Sequence, residues 1–165
     1  MEYARELHTD RRQTRNFVLG SLSLGHGVSH LMSQAFPLLL TEISTTMGLS
    51  SIQKATLLAM RQVGSTAVNL SAGPVVDMVK PHWGPILAAC MLWSAISFFI
   101  AGISPGFATM AFAIVLVSIP GSLWHLPAGA AISQRFPDRR GFAISIHGFG
   151  SNVGNVLSPI IAGAL

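Results

Sequence analysis

Charge is nearly absent from five long stretches of this chain, and nothing else in it limits the possible folds as much. Only 10% of the 165 residues are Asp, Glu, Lys or Arg, while 50% are hydrophobic; a water-soluble domain carries about a quarter charged residues. Most of the charges gather in short segments, and each stretch between them is about long enough to cross a bilayer as a helix. The fold class expected is therefore all-α, a polytopic membrane bundle of five transmembrane helices. The spans fall at about 17–40, 52–72, 85–103, 107–132 and 141–165, in one domain over 17–165, behind a basic cytoplasmic tail over 1–16.

The formal net charge of +4 does not describe a nucleic-acid surface, because of where the cations sit. Arg5, Arg11, Arg12 and Arg15 precede the first span, Lys80 follows the second, and Arg135, Arg139 and Arg140 follow the fourth. The other two connections are almost free of positive charge, so alternate loops are basic and the N-terminus is expected in the cytoplasm. Cys90 is the single cysteine and lies in an apolar run, which excludes an intrachain disulfide. The first apolar region is too long for a cleavable signal peptide. Trp83 is placed as an interfacial anchor, and Trp93 lies deeper, where packing is its expected role.

Polar side chains within the apolar stretches mark where function concentrates, since they are costly in lipid unless they face a bundle interior or a wet path. His26, His30 and Gln34 recur at i, i+4 and i+8 and share one helix face. Arg61 lies near the middle of the second span, too deep to snorkel, and must face a cavity or a partner on the first span. Climbing and descending helices bring His30 and Arg61 to similar depth. The fourth span holds Pro120 and Pro127 around Trp124 and His125; interrupted helices of this kind line binding sites in transporters, so a break is expected there. Gly150, Gly154 and Ser158 repeat every four residues and predict a face for close helix contact, with Pro159 beside it. His147, Asn152 and Asn155 add polar groups to the same span. The H-x-x-x-H pair could hold a metal, but no carboxylate or thiol lies nearby, and no metal or cofactor is assigned. Gly148–Gly154 mimics a dinucleotide fingerprint, but no strand precedes it and no acidic residue follows. There is no Ser-Lys or Asp-Asp pair and no H-E-x-x-H at membrane depth, so no enzyme is expected.

Gly73-Pro-Val-Val-Asp77, followed by Lys80 and Gly84, resembles the signature loop between the second and third helices of the major facilitator superfamily. The resemblance implies that Gly73 lets two helices approach and that Asp77 and Lys80 belong to a cytoplasmic gate. Gly121-Ser-Leu-Trp-His125, Arg139-Arg-Gly-Phe-Ala-Ile-Ser-Ile-His147 and Gly150-Ser-Asn-Val-Gly154-Asn-Val-Leu-Ser-Pro159 are similar to the fosmidomycin-resistance branch of that superfamily. Gly154-x-x-x-Ser158-Pro159-x-x-Ala-Gly163 also resembles its antiporter motif, with Ser158 where glycine is usual. The resemblance spans nearly all of 17–165 and implies the first five helices of a twelve-helix protein of two similar halves, so the chain reads as an N-terminal fragment whose partner is the missing C-terminal half.

The function expected is secondary active transport of a small solute across the inner or plasma membrane, with proton-coupled efflux as the implied mode. His26, His30, Gln34, Arg61, Trp124, His125, His147 and Asn152 are the expected substrate-binding or coupling residues. The rival reading is a non-transporting small membrane protein, or a degenerate half-transporter acting as an assembly partner. The expected partners are the lipid bilayer, the solute and protons.

Overall fold

A computed structural model describes the backbone of residues 2–78 and 82–164, and the side chains of 14–74, 76–78 and 82–164. Five helices follow in order: α1 Glu2–Thr46, α2 Ser51–Met78, α3 Trp83–Gly102, α4 Phe107–Arg135 and α5 Arg140–Ala162. Among the described residues there is no strand. α1 packs chiefly against α5, while α2 and α3 both pack on α4.

The bundle has two apolar cores with a polar layer between them. Towards the start of α1, Leu19 and Leu22 meet Leu87, Trp124, Ala128, Ile132 and Ala143. Towards its end, Phe36 and Leu40 meet Leu57, Met110, Ala113 and Ile114. Polar residues lie between those groups, His26, His30 and Ser33 on α1 and Ser118 and Ser122 on α4, with His125 next to Trp124 at the edge of the first core. The two apolar cores hold the helices in place, and the polar layer is thereby fixed at the middle of the bundle.

α5 shows the inverse of a water-soluble helix. Its packed stripe is Ala143, His147, Ser151, Gly154 and Ser158, all small or polar. Its exposed stripe is Phe142, Ile146, Phe149, Val153, Val156 and Ile160. Burying small residues and exposing large apolar ones suits lipid rather than water, because helix contact in lipid comes from close packing and not from hiding apolar area. By length and apolarity, two helices among the described residues are able to cross a membrane, Trp83–Gly102 and Phe107–Arg135. α1 and α5 carry more Ser, Gly, Asn, His and Arg, and α2 carries Gln53, Lys54, Arg61, Gln62 and Asp77, which lowers their hydropathy without ending the helix.

Hydropathy and helix limits part company at several ends. α1 begins at Glu2, so residues 2–16 of the segment expected as a tail over 1–16 continue the first helix. They hold no Pro or Gly and several good helix formers (Glu, Arg, Leu, Gln), so nothing there stops the hydrogen-bond ladder. α2 runs through Pro74 to Met78, which puts Gly73 and Asp77 on its last turns and not in a loop. Gly48 closes the turn between α1 and α2 with φ of 64°, a left-handed conformation that glycine adopts without steric cost.

α4 corrects a second expectation. It is one continuous helix from Phe107 to Arg135 with both prolines inside it, not an interrupted segment. Proline removes the N–H that would bond four residues back, so Pro120 leaves the Leu116 carbonyl without its helical donor. Trp93 of α3 donates its indole N–H to that carbonyl at 3.1 Å. The kink site is thus satisfied by a neighbouring helix, the usual condition for proline inside a buried helix. Trp83, expected at the interface, is buried and donates to the Val76 carbonyl at 3.3 Å.

The α4–α5 turn is tied back to α1. Arg15 Nη2 bonds Asp138 Oδ1 at 2.6 Å, and its guanidinium lies 4.5 Å from the Phe136 ring centroid. The Arg15 hydrogen bond holds the Asp138 carboxyl below its ordinary value of 3.8. The folded form is the one with the lowered value, so this contact is fully present well above pH 3.8 and is lost as pH falls through the lowered value.

Candidate functional site

The polar layer contains a cavity of about 190 Å³ that α1, α2 and α4 enclose, with α3 adding Ser94 and Phe98. His30 and Ser33 reach it from α1, Arg61 and Ser65 from α2, and Ser122 and His125 from α4. At about 30 Å³ per water this is room for several waters or part of a small solute.

Arg61 is half-buried and donates to the Ser33 hydroxyl, one turn beyond His30 on α1. Its guanidinium carbon also lies 6.0 Å from the Phe36 ring centroid, at the edge of cation–π range. Arg61 therefore has both a partner on the first helix and a place on the cavity wall. One serine uses one of a guanidinium's five donors, so most of its hydrogen-bonding capacity is left for a ligand or water. Ser65 and Ser122 bond each other across α2 and α4 at 2.8 Å, which pins the opposite wall.

Beside Arg61 the fold gathers four histidines. His26 stacks on His147 with ring centroids 4.2 Å apart and planes 17° from parallel. His30 and His125 meet the His26 ring edge-on at 4.7 and 5.0 Å. The backbone carbonyl of His147 can only accept, so the His26 Nδ1 at 3.1 Å from it carries the proton. The Asn155 Oδ1 likewise accepts from His30 Nδ1 at 3.0 Å. His26 Nε2 and His147 Nδ1 are buried with no hydrogen-bond partner among the described residues, as is Trp124 Nε1.

The candidate residues do not all converge. His30, Arg61 and His125 line the cavity, and His26 lies directly behind them. His147 is buried against His26 on the side of α5. Trp124 is a packing residue: a Cβ on Gly25 would fall 2.7 Å from its ring, so α1 and α4 meet there with no space to spare. Gln34 and Asn152 are exposed and lie outside the cavity wall. Two partners carry no signal in the sequence, namely Ser33 and Ser122, since an isolated serine in an apolar run looks the same whether it caps its own helix or reaches across to another; Asn155, expected as polar lining, is the partner of His30.

Around the family-like loop, a Cβ on Gly73 would meet nothing within 4 Å among the described residues, so the close helix approach implied for it is not seen. Asp77 is exposed at the end of α2, and Lys80 lies outside the described residues. Gly150 and Gly154 instead make close contacts on α5. A Cβ on Gly154 would run into the Gly27 carbonyl oxygen and lie 3.0 Å from the Leu31 nitrogen, and one on Gly150 would run into the Ser23 carbonyl oxygen. Ser158 donates to the Leu31 carbonyl at 2.8 Å, and Pro159 follows it as the last interruption of α5.

No curated protein matches this chain, and no solved structure does. The model of one protein family, the Major Facilitator Superfamily, matches residues 22–165, which takes in the cavity and the four clustered histidines. The chain belongs to the major facilitator superfamily, whose members are membrane transporters and not enzymes.

Proposed function

We propose that this chain forms one side of a secondary active transporter of a small anionic solute, with its cavity at the membrane midplane. All five helices cross the membrane, the N-terminus lies in the cytoplasm of a cell whose plasma membrane holds the protein, and a second helical bundle closes the cavity from the opposite side. The observation that carries the reading is Arg61: an arginine in a membrane helix, on a cavity wall, holding one serine and free to hold more. A fixed positive charge there favours a carboxylate, phosphonate or similar group on the solute.

The exposed apolar stripe of α5 supports contact with lipid or with the second bundle, and the exposed Gln34 and Asn152 are polar groups for that bundle to cover. Transport then proceeds by rocking of the two bundles about the fixed site. Asp77 and the nearby basic residues, Lys80 among them, make and break the inner closure. Among the described residues no carboxylate lines the cavity, so coupling to protons falls to the histidines. Efflux is the direction suggested by the likeness of residues 121–125 and 139–159 to the fosmidomycin-resistance branch. A non-transporting protein that dimerises would need an open small-residue face, and the Gly150–Gly154 face is already occupied by α1 within the chain.

Asn69, exposed on the cavity wall, offers the direct test. With Cys90 replaced by alanine and Asn69 by cysteine in the intact protein, a membrane-impermeant thiol reagent is applied to right-side-out and to inside-out vesicles. Alternating access predicts modification from both faces. Modification from one face only, or from neither, would contradict it.

A further inference from the structure

We propose that His26, His30 and His125 form a binding site for a divalent transition-metal cation of the zinc class, with the fourth coordination position open to the Arg61 cavity. One ring nitrogen from each of the three lies within 4.8 Å of the other two. Zinc–imidazole bonds of about 2.0–2.1 Å in a tetrahedral arrangement need ligand nitrogens roughly 3.3 Å apart. The site is therefore open by about 1.5 Å at its widest, a gap that rotation of one side chain closes. His26 is buried and held, His30 is half-buried and held, and His125 is exposed with no hydrogen bond among the described contacts. His125 is the side chain that moves.

The tautomers are those that metal binding through Nε2 requires. His26 and His30 each give their Nδ1 proton to an oxygen, the His147 carbonyl and the Asn155 amide, which leaves both Nε2 atoms as bare lone pairs. Metal-bound histidines are held in the same way, the second nitrogen fixed by a carbonyl or carboxylate behind it. Simple packing of four rings does not account for the arrangement. His26 is more than nine-tenths buried, and its Nε2 has no hydrogen-bond partner among the described residues. A buried acceptor left bare is costly, and a cation among the three rings removes that cost.

The donor set also selects the ion. Three neutral nitrogens with no oxygen ligand disfavour magnesium and calcium and favour zinc, nickel, cobalt or copper(II). Three uncharged ligands leave two positive charges uncompensated at membrane depth, next to a guanidinium in the same cavity. The open position must then be filled by an anion that also meets Arg61, and the cavity between them supplies the room. A hydroxide or a carboxylate would serve. This metal site stands whether or not the protein transports anything, so its failure and that of the transport reading are separable.

The test is calorimetric titration of zinc chloride, then magnesium chloride, into the intact purified protein in detergent after removal of metal by a chelator. The expected result is one zinc per chain with no magnesium binding. His26→Ala, His30→Ala and His125→Ala should each weaken zinc at least tenfold, and Asn155→Ala should weaken it about tenfold by releasing the His30 ring. His125→Ala is the decisive variant, since an exposed side chain can be removed without unfolding the bundle, and thermal melting confirms that it is folded. His82→Ala, at an exposed histidine before α3, should bind as wild type does. Zinc binding that survives His125→Ala, that is lost in His82→Ala, or that is absent from the wild type would overturn the proposal.

Discussion

Gly154→Val is expected to cost the protein its folded bundle. The α1–α5 contact is backbone against backbone: the Gly154 Cβ position runs into the Gly27 carbonyl oxygen, with the carbonyl carbon only 2.9 Å away. A Cβ on Gly27 would in turn lie 2.8 Å from the Gly150 carbonyl oxygen, and the Gly150 Cβ position lies 2.8 Å from the Ser23 carbonyl carbon. None of these atoms is the end of a flexible side chain, so nothing can rotate aside. The two helices must separate along their whole shared face, at a cost well above the roughly 1–3 kcal/mol of ordinary overpacking. Separation also draws the Ser158 hydroxyl from the Leu31 carbonyl, His26 from the His147 carbonyl and His30 from Asn155. Gly148→Ala is the control, because a Cβ there meets nothing within 4 Å among the described residues. Melting in detergent should show Gly154→Val unfolded, or lowered by about 5 °C or more, and Gly148→Ala unchanged. Equal melting of the two variants would mean that α1 and α5 do not meet as described.

The second large effect is on Arg61, and here stability and activity should move in opposite directions. Placing an arginine at the bilayer centre costs about 2.5–3.5 kcal/mol on insertion scales. Arg61→Leu recovers much of that cost and gives up the single Ser33 hydrogen bond, so yield and melting temperature should hold or rise. Flux of small organic anions in proteoliposomes should fall on the order of 100-fold, because the solute's charged group is left without its partner in a desolvated site. Arg61→Lys keeps the charge but loses the planar fork, and should fall between the two. Groups held against a stability gradient in this way are a common signature of function. Unchanged anion flux in a better-folding Arg61→Leu protein would assign the residue to structure and remove it from the site.

What could be read in the sequence followed from what a single helix fixes. His26 and His30 share a face because they are four apart, and Arg61 declares itself by depth. Gly150, Gly154 and Ser158 recur at a spacing that puts all three on one side of α5. The contacts that complete the site join distant parts of the chain and leave no periodic trace. His125 reaches the His26–His30 pair from another helix, and so turns two imidazoles into a possible three-ligand set. Asn155 and Ser33 are two polar residues among many until the fold pairs them with His30 and Arg61. Hydropathy also misjudges helix ends, since it senses the lipid boundary and not the hydrogen-bond ladder. α1 therefore continues back to Glu2 through a charged segment, and α4 runs through two prolines because Trp93 meets the carbonyl that Pro120 leaves bare.

The transport proposal requires these five helices to cross the membrane in alternation, and single-cysteine labelling in intact cells tests that most directly. In a Cys90→Ala background, cysteines replace the exposed Thr46 and Ile103 at one end of the bundle, and the exposed His82 and Pro137 at the other. With the N-terminus inside, an impermeant maleimide should label positions 46 and 103 on whole cells, and positions 82 and 137 only after the membrane is opened. Labelling of all four from outside, or of none, would contradict the account, as would 46 and 103 reacting from opposite sides.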